Sequence, residues 1–240
     1  MQVLVVGATG GSGRAAVAEL VARGHTVTAL SRHGSTLAGP GVRGVDGDAT
    51  DAATVDAVVA GQDAVVVTLG ISESPVRVRL RGPARTPADV RSRGTRTVVD
   101  AMRRHGVDRL VVQTSYGVGA TRPLLPPATR LVFALLLAPQ IADTERQARV
   151  VHSSGLDWVE VQPVNLVDTD LPGPAFASVT GEQRGMTVSR TQVARFLVDA
   201  VEDDAYVGAG VALSHLTPAR ATRPRRRRYT PEGFSSTVSR

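Results

Sequence analysis

Four apolar residues in a row, Val3 to Val6, open the chain after Gln2. An unbroken, β-branched run of this kind predicts a strand buried on both faces. The turn Gly7-Ala8-Thr9-Gly10-Gly11-Ser12-Gly13-Arg14 follows, and then Ala15, Ala16, Val17, Ala18, Leu20 and Val21 recur with helical spacing. The same alternation continues along the chain. Strands are expected at 25–30, 42–45, 63–68, 109–114 and 157–162. Helices are expected at 52–60 behind the cap Asp51, from Thr86-Pro87 to His105 before Gly106, and at 141–154 before Gly155. Ser189 is expected to cap a last helix to about Val201 that carries Val193, Phe196, Leu197 and Ala200 on one face. Residues 207–213 read as a final edge strand. Strands alternating with helices predict an α/β fold, a doubly wound parallel sheet with helices on both faces.

Two stretches break the alternation. Between Pro75 and Arg85, Arg77, Arg79 and Arg81 alternate with apolar residues, so an extended backbone would put all three on one face. Residues 117–140 are rich in proline and leucine and predict a loop and short helix that cover a site or pack on a partner chain. The loops at 71–87 and 117–140 are the expected substrate loops of a domain over residues 1–216. Residues 217–240 lack apolar periodicity and read as a flexible tail.

Composition narrows the chemistry. All 28 basic residues are arginine and the chain has no lysine. The tail holds seven arginines and one glutamate, which accounts for the whole formal charge of +6 and leaves the body near neutral. Nucleic acid is therefore the least favoured partner: the arginine run carries a single adjacent aromatic, Tyr229, and would bind without sequence preference. The absence of cysteine excludes disulfides and thiolate catalysis. No metal site is expected. The first strand begins at residue 2, and the longest apolar run, 131–138, is too short to span a bilayer, so a cytoplasmic protein without leader or membrane anchor is expected.

The strongest chemical signal is the first turn. Glycines at 7, 10 and 13 follow the spacing Gly-x-x-Gly-x-x-Gly at a strand-to-helix junction. Gly7 permits the sharp exit from the strand, Gly10 lets backbone approach a phosphate, and Gly13 lets the helix pack on the strand. A helix N-terminus presents free N–H groups and a positive dipole end, so a dinucleotide diphosphate is the natural occupant. Strand two ends in Ser31-Arg32. An arginine there can grip a 2′-phosphate where an acidic residue would bond ribose hydroxyls, which points to NADP(H). With Asp51 assigned to capping, Asp48 is left for the ligand, and Gly70 ends strand four where backbone can approach a ribose.

The pattern resembles the biliverdin IXβ reductase/flavin reductase-like branch of the atypical short-chain dehydrogenase/reductases, close to the NmrA-like group. The matching stretches are 7–13, Gly47-Asp48, 61–67, Leu69-Gly70, 106–110, Thr114-Ser115, 154–156 and Pro163, in consistent order. The resemblance implies that Gly7, Thr9, Gly10, Gly11, Ser12, Gly13 and Arg14 surround the pyrophosphate, with Ser31 and Arg32 at the 2′-phosphate. It implies Asp48 and Ala49 beside adenine and Leu69-Gly70 under the ribose. Thr114, Ser115, Pro163 and Val164 would border the nicotinamide. A histidine that lines the flavin reductases' substrate pocket is replaced by Asn165.

Short-chain ketoreductases commonly protonate a carbonyl with a tyrosine tuned by a lysine four residues later. That device is impossible here: there is no lysine, and Tyr116 is followed four places on by Ala120. The acceptor should then need little acid help, as flavins and quinones do. Ser115 would orient it by a hydrogen bond and Asn165 would bond a carbonyl or ring nitrogen. Tyr116 is the remaining hydroxyl at that strand end, expected to face away from Ser115. Three functions follow in order: an NADPH-dependent reductase of a flat conjugated, aromatic or anionic small molecule, acting as monomer or homodimer; a non-catalytic NADP(H)-binding regulator; and an adaptor acting through the basic tail.

Overall fold

The apolar runs form the centre of a single eight-stranded sheet. The computed structural model describes residues 1–70, 87–126 and 138–216. Strands β1 (Gln2–Val6), β2 (Thr26–Ser31), β3 (Val42–Asp46), β4 (Ala64–Val67), β5 (Arg109–Gln113) and β6 (Asp157–Pro163) lie parallel in the order β3-β2-β1-β4-β5-β6. The chain leaves β1 in one direction to β2 and β3, then returns to place β4 on its other side. This reversal opens a crevice above the carboxyl ends of β1 and β4, where open α/β sheets hold their ligands.

Among the described residues five α-helices cover the sheet: α1 (Gly11–Ala22), α2 (Ala52–Val59), α3 (Val90–His105), α4 (Ala138–His152) and α5 (Arg190–Glu202). Alternate residues of each strand feed two cores. Val3, Val5, Val27, Val66, Val159 and Val161 pack with Ala16, Leu20, Phe196 and Leu197 of α1 and α5. Leu4, Val6, Val65, Leu110 and Val112 pack on the other face with Val55, Val98, Met102 and Val151 of α2, α3 and α4. The expected architecture, an α/β sheet with helices on both faces, holds.

Strand β10 (Ala209–His215) is expected at the edge but is not there. It pairs parallel to β6, and β8 (Ala175–Ser178) adds antiparallel outside it. Two further strands, β7 (Asn165–Val167) and β9 (Thr187–Ser189), form a parallel pair beside the main sheet. These three short strands lie in a stretch with several prolines and glycines, where three or four residues are too few to register as a period. Of the proline- and leucine-rich stretch, Gly119–Leu124 forms a 3-10 helix. The alternating arginines, the rest of that stretch at 127–137 and the basic tail lie outside the described residues.

Helix ends follow local chemistry. The Asp51 side chain accepts from Thr54 N, and Gly106 closes α3 at φ 67°. Ser189 and Gln192 form a reciprocal capping box, Ser189 Oγ accepting from Gln192 N and Gln192 Oε1 accepting from Ser189 N. Ser189→Ala should lower unfolding stability by about 0.5–2 kcal/mol in urea titration. An unchanged midpoint would show that the box contributes nothing.

Candidate dinucleotide and acceptor cleft

The carboxyl ends of β1, β2, β4, β5 and β6 open into one cleft of about 1010 Å³. Its floor begins at the glycine turn. Gly7 sits at φ 86°, and a Cβ there would lie 2.9 Å from Thr68 O, so the strand exit requires glycine. A Cβ on Gly13 would collide with Gly7 O and lie 2.9 Å from Ala8 Cα, so α1 can approach β1 only without one. Gly7 N and Ala8 N donate to Leu30 O at 2.9 and 3.2 Å, Thr9 Oγ1 to Ser31 Oγ at 3.1 Å, and Arg14 Nε to Thr9 O at 3.0 Å. These bonds tie the turn to β2 and to its own helix. The N-cap of α1 is Gly10, so no side chain caps it, and its first turn has no acidic residue. The leading N–H groups of a helix have no intrahelical partner, which leaves a positive end for an anion.

The structure brings nearly all the expected site residues to this cleft. Gly7, Thr9, Gly10, Gly11, Ser12, Ser31, Arg32, Asp48, Ala49, Leu69, Gly70, Thr114, Ser115, Tyr116, Pro163, Val164 and Asn165 line it. Gly13 and Arg14 do not; their roles are the packing and the bracing just described. Asp48 is less free than its sequence context implies, because its Oδ1 accepts from both Thr50 N and Thr50 Oγ1 at 2.8 Å.

The three expected acceptor residues differ in placement. Ser115 is half-buried, and Asn165 is exposed on the rim. Tyr116 lines the cleft but is 7% exposed, and its hydroxyl donates to Gly181 O at 3.0 Å. Burial raises its pKa. This tyrosine has neither a lowered pKa nor a free proton to offer.

Behind Thr114 lies a buried carboxylate for which no role is expected from the sequence. Glu160 of β6 is 1% exposed; it accepts from Thr114 Oγ1 at 2.7 Å and lies 2.8 Å from His152 Nε2. Burial alone would raise its pKa, but hydrogen bonds from His152, Thr114 and Gln162 outweigh burial and hold it below the ordinary 4.5. A glutamate flanked by Val159 and Val161 in a strand was the available signal.

Four residues that line the cleft each carry a buried polar atom without a partner: Arg91 Nε, Gln113 Oε1, Gln183 Oε1 and Arg190 Nη1. Buried polar atoms are nearly always satisfied, and half of the eight such orphans among the described residues belong to residues that line this cleft. Burial lowers the Arg91 pKa, and Asp143 opposes the shift. Among the described lining residues, Arg32, Arg91 and Arg190 stand against the single carboxylate Asp48. Shape, charge and orphaned donors therefore fit an extended anionic cofactor with a polar head. Among the described residues no group of three His, Asp or Glu could hold a metal ion, and no helix is long and apolar enough to cross a membrane.

Residues 7–204 match the family model for NAD(P)H-binding proteins. The chain belongs to that NAD(P)H-binding family. Its relatives among solved structures include ChuY from Escherichia coli O157:H7, described as an anaerobillin reductase. That protein is 25% identical, with 91% of this chain and 100% of the other covered at a TM-score of 0.74. A short-chain dehydrogenase/reductase from Veillonella parvula, solved in complex with NADP, is 15% identical, covering 89% and 94% of the two chains at a TM-score of 0.73. A Rossmann-fold NAD(P)-binding family protein from Shigella flexneri is 21% identical, covering 89% and 93% at a TM-score of 0.63. Membership and fold agree with the atypical short-chain dehydrogenase/reductase resemblance.

Because Glu160 titrates lower folded than unfolded, its stabilisation is fully present above the unfolded value near 4.5 and is lost as pH falls through the folded value. Glu160→Gln should therefore flatten the fall of the urea midpoint as pH drops below about 4.5. An unaltered acid limb would contradict the assignment.

Proposed function

We infer that the protein is an NADPH-dependent reductase that passes hydride to a flat conjugated acceptor such as a flavin, a quinone or an aromatic metabolite. The observation that carries this reading is the state of Tyr116 inside an NAD(P)H-binding cleft. Its hydroxyl is committed to Gly181 O and the chain has no lysine to tune it. An acceptor whose reduced form is a stable anion, or takes its proton from water, needs no such acid.

In this reading the cofactor supplies the hydride when bound, and the chain supplies position. The N-terminal turn of α1 holds the diphosphate through its uncapped end. Ser31 and Arg32 take the 2′-phosphate and so select NADP(H) over NAD(H). Asp48 and Ala49 flank the adenine, and Leu69-Gly70 lie under the ribose. Thr114, Pro163 and Val164 shape the nicotinamide end. Ser115, half-buried and turned to the cleft, hydrogen-bonds the acceptor, and Asn165 on the rim bonds its carbonyl or ring nitrogen. With its hydroxyl hydrogen given to Glu160, Thr114 offers the cleft a lone pair, suited to an amide N–H.

NADPH mixed with a panel of flavins and quinones should lose its nicotinamide absorbance in the presence of the protein. Tight NADPH binding with no oxidation by any acceptor would favour a non-catalytic NADP(H) sensor. Removing a general acid typically costs about 10²–10⁴-fold, so Tyr116→Phe should leave kcat within about tenfold of wild type. A loss of about 10³-fold would restore Tyr116 as the proton donor. Arg32→Asp should shift preference from NADPH toward NADH by at least about tenfold, the scale of one charge-assisted contact; an unchanged ratio would remove Arg32 from the phosphate.

A further inference from the structure

Arg190 is the first residue of α5, directly after the cap Ser189. Its side chain crosses to the glycine turn. The three atoms nearest to a Cβ built on Gly11 are Nε, Cδ and Cζ of Arg190; Nε would overlap it, and Cδ would lie 2.9 Å away. Gly11 thus lacks a side chain where this guanidinium rests, a contact with a side chain rather than with backbone as at Gly7 and Gly13.

The charge on Arg190 is poorly answered within the protein. Among the described residues its one ion-pair partner is Asp168, with Oδ1 3.4 Å from Nε and a side chain 89% exposed. A long, wet ion pair of this kind contributes little. Nη1 is buried without a partner, on a residue that lines the cleft. The capping box satisfies α5's own end, so α5 brings to the cleft the arginine rather than a bare helix terminus. Across from it stands the uncapped first turn of α1.

We propose that Arg190 is the side-chain clamp of the cofactor diphosphate. Its Nη1–H donates to a phosphate oxygen on one side while the leading N–H groups of α1 donate from the other. The assignment rests on the dinucleotide reading above. It makes Gly11 and Arg190 one device: glycine at 11 gives the guanidinium its seat, and the seat aims the free N–H. Arg32, which follows β2, serves a different phosphate.

Calorimetric titration of the full chain with NADPH and with ADP-ribose tests the clamp. Arg190→Gln should weaken both ligands by about 10- to 100-fold, the range for a hydrogen bond to a charged group. Its urea midpoint should stay near wild type, since the Asp168 pair is weak. Gly11→Ala should also weaken both ligands by unseating the guanidinium, yet add less than about threefold in the Arg190→Gln background, because the two changes remove the same contact. Asp168→Asn should leave binding within about threefold of wild type or tighten it. Arg190→Gln binding as well as wild type, or additive losses in the double variant, would overturn the clamp alone. So would a loss seen with NADPH but not with ADP-ribose, which would move Arg190 to the nicotinamide or acceptor end. Wild type that binds neither ligand would overturn the dinucleotide reading itself.

Discussion

The uncapped first turn of α1 is the constraint around which the cleft is arranged. A helix that begins on glycine with no acid in its first turn keeps its leading N–H groups and its positive dipole end unanswered. The surrounding bonds hold that turn in place rather than satisfying it. Leu30 O receives Gly7 N and Ala8 N, and Arg14 braces Thr9 O from outside the cleft. The parallel sheet then sets what lies opposite, because the reversal from β3 back to β4 opens the crevice directly above this turn.

From that constraint the two walls acquire complementary roles. The α5 side carries Arg190, placed by a capping box at the start of its helix. The α3 side carries Arg91, whose backbone N donates to the buried Asp143 at 3.0 Å. Each wall leaves a buried donor without a partner, and Gln113 and Gln183 add unpartnered acceptors. Orphaned buried atoms are costly, and four of them belong to residues that line this one cleft. At the acceptor end the opposite holds. Tyr116 and Thr114 are already bonded to Gly181 O and Glu160, so neither hydroxyl hydrogen is free.

Much of this was legible in the sequence, and the exceptions have physical reasons. The β1 run, the glycine spacing and the caps Asp51, Gly106 and Ser189 are local signals, and the structure places each element within a few residues of expectation. The cleft-lining residues Thr9, Ser31, Asp48, Gly70 and Ser115 could be picked because strand ends in a parallel sheet share one edge. Arg190 could not, because its importance lies in a contact with Gly11 that no spacing announces. Strands β7, β8 and β9 carry no readable period at three or four residues each, and without β8 the pattern puts β10 at the edge. Strand alternation turns Tyr116 away from Ser115; the tyrosine lines the cleft all the same, with its hydroxyl bound to a carbonyl sixty-five residues along the chain.

A crystal of the full chain soaked with saturating NADPH tests the central claim most directly. The account predicts diphosphate density against the backbone of Gly10, Gly11 and Ser12 at the start of α1. Ordered cofactor elsewhere in the molecule, or a clear cleft in crystals of protein saturated with NADPH, would contradict it.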